Sequence, residues 1–314
     1  MTAAIQVEGL SKTYRAGAVK ALDEVSLEVQ AGETLGIIGP NGAGKTTLLG
    51  CLLGFLTPDA GGVRIEGRAP DDLAVRATTG YLPERLVLDR WMSGRQYLGF
   101  HHALARLPVA RRDADCDEAL ERVGLDAAAA DRNIGRYSRG MLQRLGLAQA
   151  LLGAPRILYL DEPISGVDPA GVLLFRRLIT ERAAGGATIV INSHQLSEVE
   201  RVCTRVVFVQ KGRVQSMETV RAGESQARVL RVRLAGGWTP AGGDAATRLA
   251  QLAAEAGAAF RELAAPDARF SVADDAGATR LLAALLAGGV PVIEAAPEEG
   301  RLERLFVEAP GSPS

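Results

Sequence analysis

One segment constrains the fold of this 314-residue chain more than any other. Gly39-Pro40-Asn41-Gly42-Ala43-Gly44-Lys45-Thr46-Thr47 fits the pattern GxxxxGK[ST] in full. The apolar run Thr34 to Ile38 precedes it and reads as a buried strand; an apolar helix is expected to begin near Lys45. Strand, glycine-rich turn and helix in that order form a cradle for phosphate. The glycines let backbone N–H groups converge on an anion. Lys45 is placed to reach β and γ oxygens, and Thr46 to offer its hydroxyl to magnesium. Asn41, Gly42, Gly44, Lys45, Thr46 and Thr47 are therefore candidate nucleotide contacts. A glycine-rich turn with no ligand is the plainer alternative, and the flanking strand and helix weigh against it.

Phosphates need a magnesium-side carboxylate and a group that positions water before they are hydrolysed. Arg156-Ile157-Leu158-Tyr159-Leu160-Asp161-Glu162-Pro163 supplies both. The apolar run places Asp161 at a strand's C-terminal end, where α/β sites assemble. Asp161 is the expected magnesium-side carboxylate, and Glu162 is expected to face the γ-phosphate side and act on water. A pair of acids capping a helix after a strand is the alternative. His194 follows a strand at Thr188 to Ile191; a lone histidine is usually structural, but here it could also sense a γ-phosphate. His101 and His102 fall in a helical stretch with no acid partner in pattern and read as surface or packing residues.

Composition narrows the class. Lys plus Arg (36) against Asp plus Glu (37) leaves a formal charge of -1, which excludes a globally basic nucleic-acid binder but not a local basic patch. With 47% hydrophobic and 23% charged residues, wholesale disorder is excluded as well. Cys51, Cys116 and Cys203 lie far apart, offer neither zinc spacing nor a disulfide scaffold, and fit a reducing cytosol. No basic head precedes an apolar run near the N-terminus, so no secretory signal is read. The uncharged stretch Leu281 to Ile293 is shorter than a spanning helix and is interrupted by Gly288, Gly289 and Pro291. The chain is not expected to cross a bilayer by itself, though it could dock on a membrane partner.

Strands are expected at 5–10 and 25–30 around a turn at Arg15 to Gly17, then at 34–38, 157–160, 188–191 and 206–209. Residues 60–90 hold further short strand candidates. Ser93 to about Gly153 reads mostly helical, with Leu98, Leu104, Leu120, Leu142, Leu145 and Leu147 as core positions. Further helices are expected at 170–182 and 196–203. Strands alternating with helices argue for α/β with an inserted helical region. Composition shifts near Val220. Beyond it, strands around Leu230 to Leu234, Phe270 to Val272 and Val290 to Val292, helices at 245–257 and 276–287, and a last short helix at Leu302, Leu305 and Phe306 suggest a small α+β domain. The boundaries read as 1–224, with a helical subdomain at about 88–153, and 225–314.

Together these pieces resemble the ATP-binding cassette (ABC) ATPases, specifically the nucleotide-binding subunits of ABC transporters, over about residues 3–220. Ser138-Arg139-Gly140-Met141 resembles the ABC signature, which more often reads SGGQ. The resemblance implies that Ser138 and Gly140 meet the γ-phosphate of ATP held by the other subunit. Tyr14 resembles the aromatic that stacks on adenine. Gly80-Tyr81-Leu82-Pro83-Glu84 resembles the loop linking nucleotide to the transmembrane partner; Glu84 stands where Gln is common and presents an oxygen toward magnesium. Ser165-Gly166-Val167-Asp168 resembles the D-loop that packs across the dimer, and His194 matches the family's switch histidine, which displaces its structural reading.

The fold implied is a P-loop cassette, a mixed sheet core with an antiparallel β part and a helical insert. The implied cofactors are ATP and magnesium, with Glu162, His194 and Lys45 catalytic and with Thr46, Glu84 and Asp161 on the metal side. The implied activity is ATP hydrolysis powering transport. Implied partners are a separate transmembrane permease subunit and a second cassette, as homodimer or heterodimer with a paralogue, peripheral at the cytoplasmic face of the membrane, with no nucleic acid. The region after the cassette resembles the accessory domain of the ABC-2 export group and is expected to stabilise the dimer or regulate it. The competing class is a soluble ABC protein of repair, chromosome organisation or translation. Against it stand the lack of a charged heptad run between Lys45 and Asp161 and the single cassette.

Overall fold

The computed structural model describes residues 3–14, 18–86, 91–220, 228–236, 238 and 244–297. They fall into two compact units, one within Met1–Ala222 and the other within Gly223–Val307.

The first unit opens with two long antiparallel strands, β1 (Ala3–Tyr14) and β2 (Val19–Gln30), both longer than the alternation suggests. The turn expected at Arg15 to Gly17 lies outside the described residues. β3 (Thr34–Ile38) leads through the glycine-rich loop into α1 (Lys45–Leu52). β4 (Ala60–Ile65) joins the first two strands in a three-stranded antiparallel sheet ordered β2-β1-β4. A short α2 (Leu73–Ala77) precedes β5 (Thr79–Leu82). Helices α3 (Gly94–Leu104), α4 (Arg112–Arg122), α5 (Ala127–Asp131) and α6 (Arg139–Leu151) form the inserted helical region. The chain returns through β6 (Ile157–Asp161), α7 (Pro169–Ala184), β7 (Thr188–Asn192), α8 (Leu196–Val202), β8 (Arg205–Gln210) and β9 (Arg213–Thr219).

The six-stranded sheet runs β5-β6-β7-β3-β8-β9, parallel except for the last strand. β3, β6 and β7 are buried at every residue, as strands covered on both faces must be, and their runs are accordingly near-continuously apolar. One core joins Leu35, Ile37 and Tyr159 of this sheet, Leu48 and Leu52 of α1, and Ile5, Val7 and Leu22 of the antiparallel layer. The phosphate loop is thus gripped between two sheets.

In the helical region, Leu98, Leu120, Leu145 and Leu147 are buried. Leu104 is not a core residue: it is the last residue of α3 and 61% exposed, and Leu142 is only half-buried. His102 does have an acid partner, contrary to the sequence reading: it is buried, with Nε2 3.1 Å from Asp115 Oδ2. The two sit 13 positions apart on neighbouring helices, so the contact arises only when α3 packs on α4. No helix among the described residues is long and apolar enough to cross a membrane.

The second unit comprises β10 (Arg228–Leu234), α9 (Ala245–Glu255), β11 (Ala259–Ala264), β12 (Asp267–Val272), α10 (Asp275–Ala287) and β13 (Val292–Pro297). Its antiparallel sheet is ordered β11-β12-β10-β13. A βαββαβ chain with the third strand inserted between the first and second is a split βαβ, or ferredoxin-like, arrangement. Leu230, Val232, Ala268 and Phe270 of the sheet share a core with Leu249, Leu252, Leu281 and Leu285 of the helices. Arg231, Arg233 and Arg269 alternate with the sheet's core positions and pair with Glu294, Asp267 and Glu262. β11 carries too little apolar alternation to be read from sequence. The expected helix at Leu302 to Phe306 lies outside the described residues.

Candidate nucleotide-binding site

The loop from Gly39 to Gly44 leaves the C-terminal end of β3 and caps α1. Gly44 has φ of 105°, and a Cβ there would lie 2.3 Å from the Ala21 carbonyl oxygen, so neither the backbone conformation nor the space admits another residue. Lys45 is buried, and its Nζ donates to the Gly39 carbonyl at 2.7 Å and the Pro40 carbonyl at 3.2 Å. The ammonium therefore sits inside the loop that its own backbone encircles. Burial pushes its pKa down, opposed by Glu162, Asp161 and Glu84. Asn41, Gly42 and Thr46 are exposed and Thr47 is half-buried. Tyr14 ends β1, 37% exposed and paired with Val19.

Asp161 ends β6 and Asn192 ends the adjacent β7, in register with it. Asn192 Nδ2 donates to Asp161 Oδ1 at 2.6 Å. Burial pushes the Asp161 carboxyl up, and Glu84 and Glu162 push it further, while Asn192 and Lys45 pull it back. The alternative of a helix-capping acid pair is excluded, because the next helix starts at Pro169 and is capped by Asp168.

Glu162 is the most constrained acid of the group. Its φ is 47°, a left-handed conformation that costs a side-chain-bearing residue on the order of 1 kcal/mol. The turn is fixed by its N–H, which donates to the Asn192 carbonyl at 2.8 Å. Its Oε1 accepts from the His194 N–H at 3.0 Å and lies 2.8 Å from His194 Nδ1. Ser193 Oγ approaches Oε2 at 3.4 Å. His194 itself is 59% exposed at the side chain, so it reaches from solvent back onto a nearly buried carboxylate. Asn192 and Ser193 are absent from the residues that sequence reasoning picks out. Their short polar side chains directly after an apolar strand are the available signal.

The structure brings Lys45, Glu84, Asp161, Glu162 and His194 to one end of the parallel strands. Glu84 is exposed just beyond β5, close enough to act electrostatically on both Lys45 and Asp161. Three carboxylates facing one ammonium leave the cluster short of positive charge. Among the described residues no group of three His, Cys, Asp or Glu side chains forms a self-sufficient metal cage. Hard oxygen donors, few in number and beside a phosphate loop, fit magnesium, which takes one or two carboxylates and draws other ligands from phosphate and water.

Ser138 and Gly140 lie at the start of α6. Ser138 is the N-cap, its Oγ accepting from the Met141 N–H at 3.2 Å. A Cβ on Gly140 would meet no heavy atom within 4 Å among the described residues, so this backbone is open to an approaching group. Neither residue contacts the loop, the acids or His194 through any hydrogen bond described for this chain. Gln143, one turn into α6, is buried and donates from Nε2 to the Pro163 carbonyl at 2.9 Å, next to Glu162.

The model of the ABC transporter family matches residues 22–165, from β2 through the acidic pair. The chain is 41% identical over 214 residues to an uncharacterised ABC transporter ATP-binding protein of Nostoc sp., a match that covers 66% of this chain and 64% of that one. It is 40% identical to YdbJ, an uncharacterised ABC transporter ATP-binding protein of Bacillus subtilis, over 68% of each chain. The daunorubicin resistance ATP-binding protein DrrA3 of Streptomyces coeruleorubidus is 39% identical over 67% of this chain and 66% of its own. Among solved structures, the ATP binding subunit of an ABC transporter superposes with a TM-score of 0.64 at 29% identity, over 70% of this chain and 90% of that one. The phosphate loop, the acids at the strand ends and these likenesses agree: the chain belongs to the family of ABC transporter ATP-binding proteins.

Proposed function

We propose that this chain binds and hydrolyses ATP to power transport through a separate membrane-spanning subunit. The observation that carries the reading is the convergence of Lys45, Asp161, Glu162 and His194 at the strand ends that flank the phosphate loop. In this reading the backbone of Asn41 to Thr47 holds the β- and γ-phosphates, with Lys45 Nζ exchanging its loop carbonyls for phosphate oxygens. Tyr14 offers its ring to the adenine. Thr46, Asp161 and, from its exposed loop, Glu84 are the residues that would hold magnesium, which supplies charge neutralisation to the phosphates when bound. Glu162 orients and deprotonates the attacking water. His194 holds Glu162 in position through Nδ1 and its N–H, leaving the other ring nitrogen toward the γ-phosphate side.

Ser138 and Gly140 do not reach this site through any contact described within one chain, and the open backbone at Gly140 is suited to a phosphate supplied by another. A head-to-tail pair of cassettes, each closing the other's site, satisfies both motifs; the partner is a second copy or a paralogue. Closure excludes bulk water, which strengthens the electrostatics on the γ-phosphate. Hydrolysis then sets ADP and phosphate against each other and the pair opens. The loop at Glu84 and the helical region carry that motion to the permease, which places the chain at the cytoplasmic face of the membrane. Kinship to a protein named for drug resistance favours export. The second unit serves the pair as a stabilising or regulatory appendage.

Purification of the full chain from membranes of its own cell tests the transport reading. A co-purifying chain with several apolar spans, whose presence raises the ATPase rate, is the expected result. Recovery of only soluble partners would contradict it.

A further inference from the structure

We propose that Arg139, the second residue of the signature segment, is a positioning residue that clasps the turn after Glu162, so that the signature and the water-activating segment of one chain move as a single body. The inference rests on the hydrolytic reading above.

Arg139 opens α6, immediately after the capping Ser138. Its Nη2 donates to Ser165 Oγ at 3.0 Å, 26 positions along the chain. Its guanidinium also lies against Gly166. A Cβ built on Gly166 would come within 2.6 Å of Arg139 Nε and 2.8 Å of its Cζ, so any other residue at 166 would have to push the guanidinium from its place. The glycine's φ of 71° independently suits the turn. Two further side chains of the same helix reinforce the clasp: Gln143 Nε2 donates to the Pro163 carbonyl, and Arg144 lies 3.5 Å from Asp168. Residues 163–168 are thus held at three points by the first two turns of α6. The turn's own hydrogen bonds, Ser165 N–H to the Glu162 carbonyl at 3.1 Å and Val167 N–H to the Ile164 carbonyl at 3.2 Å, tie its position directly to Glu162.

The consequence is mechanical. A shift of the Ser138 end of α6 cannot occur without pulling on the segment that begins at Glu162. Arginine suits this role better than the small residue more usual there, because its planar fork can donate to Ser165 while lying beside a residue with no side chain.

The full chain is assayed with Mg-ATP as wild type, Arg139→Ala, Arg139→Gly and Arg139→Lys. Losing the clasp lets Glu162 stray, and small misplacements of reacting groups are costly; kcat is expected to fall about tenfold with KM unchanged. Lys, with its charge but no fork, restores part of the loss. Arg139→Gly returns the segment to the commoner small residue and falls as far as Ala; turnover at or above wild type in that variant would overturn the proposal. Hydrogen exchange of the amides of residues 164–168, without nucleotide, reads the clasp apart from activity. Exchange about fivefold faster in Arg139→Ala is expected, and unchanged exchange would overturn it. Glu162→Gln, assayed in parallel, keeps the two readings apart: if that variant turns over normally the hydrolytic reading fails, whereas normal kcat and exchange in Arg139→Ala with an inactive Glu162→Gln refutes the clasp alone.

Discussion

Glu162→Gln is expected to leave ATP bound and to stop its turnover. The amide keeps the volume of the carboxylate and one oxygen to accept the His194 N–H, so the loop after β6 is preserved. What it loses is the ability to take a proton from water. General-base catalysis contributes roughly 10²–10⁴-fold, so the steady-state ATPase rate should fall by at least about 100-fold. Binding of a fluorescent ATP analogue should stay within about twofold of wild type, since the amide leaves the Lys45 loop untouched. The left-handed φ of 47° at residue 162 is retained, because Gln meets the same backbone demand as Glu. Turnover near wild type would remove Glu162 from the role given to it.

Lys45→Ala acts earlier, at binding. The ammonium is buried against the Gly39 and Pro40 carbonyls, within the electrostatic reach of three carboxylates, so its charge is the main one available to meet a triphosphate inside the loop. Hydrogen bonds to charged groups contribute about 1.5–3 kcal/mol each, and two phosphate contacts make a loss of at least about 100-fold in ATP affinity the expected result. The same variant should keep its fold. Burial already works against the Lys45 ammonium, so removing it relieves a desolvation cost even as it frees two carbonyls. Equilibrium binding together with thermal unfolding checks both halves: wild-type affinity, or loss of cooperative unfolding, would contradict the assignment. The two variants test separately the proposed gripping half on β3 and α1 and the proposed reacting half on β6 and β7.

Much of this site is legible in the amino-acid sequence. The phosphate loop shows there because its demands are local: glycines where backbone must turn or approach closely, then Lys and Thr in fixed order. Asp161 and Glu162 show because an apolar strand delivers them. What the sequence hides is contact between elements. Asn192 against Asp161, and the His194 N–H against Glu162, depend on β6 and β7 being neighbours, which only the sheet order reveals. The His102–Asp115 contact is hidden for the same reason, since α3 meets α4 by packing and not by pattern. Leu104 reads as core but lies exposed, because a periodic position at a helix end need not face the core. In sequence Arg139 is a mere departure from the usual signature, yet it contacts Ser165 and Gly166, a fit that neither segment displays alone. The split βαβ of the second unit is legible only as strands and helices, because its order comes from long-range pairing.

In the proposed mechanism two cassettes complete one another's sites. The most direct measurement of this is the structure of the full chain as Glu162→Gln, with magnesium and ATP and with its cassette partner if that is a paralogue. Mutual completion of the two sites requires Ser138 Oγ within hydrogen-bonding distance, about 3 Å, of a γ-phosphate oxygen bound by the opposite subunit's glycine loop. A complex with both nucleotides in place and Ser138 turned to solvent, far from every phosphate, would contradict it.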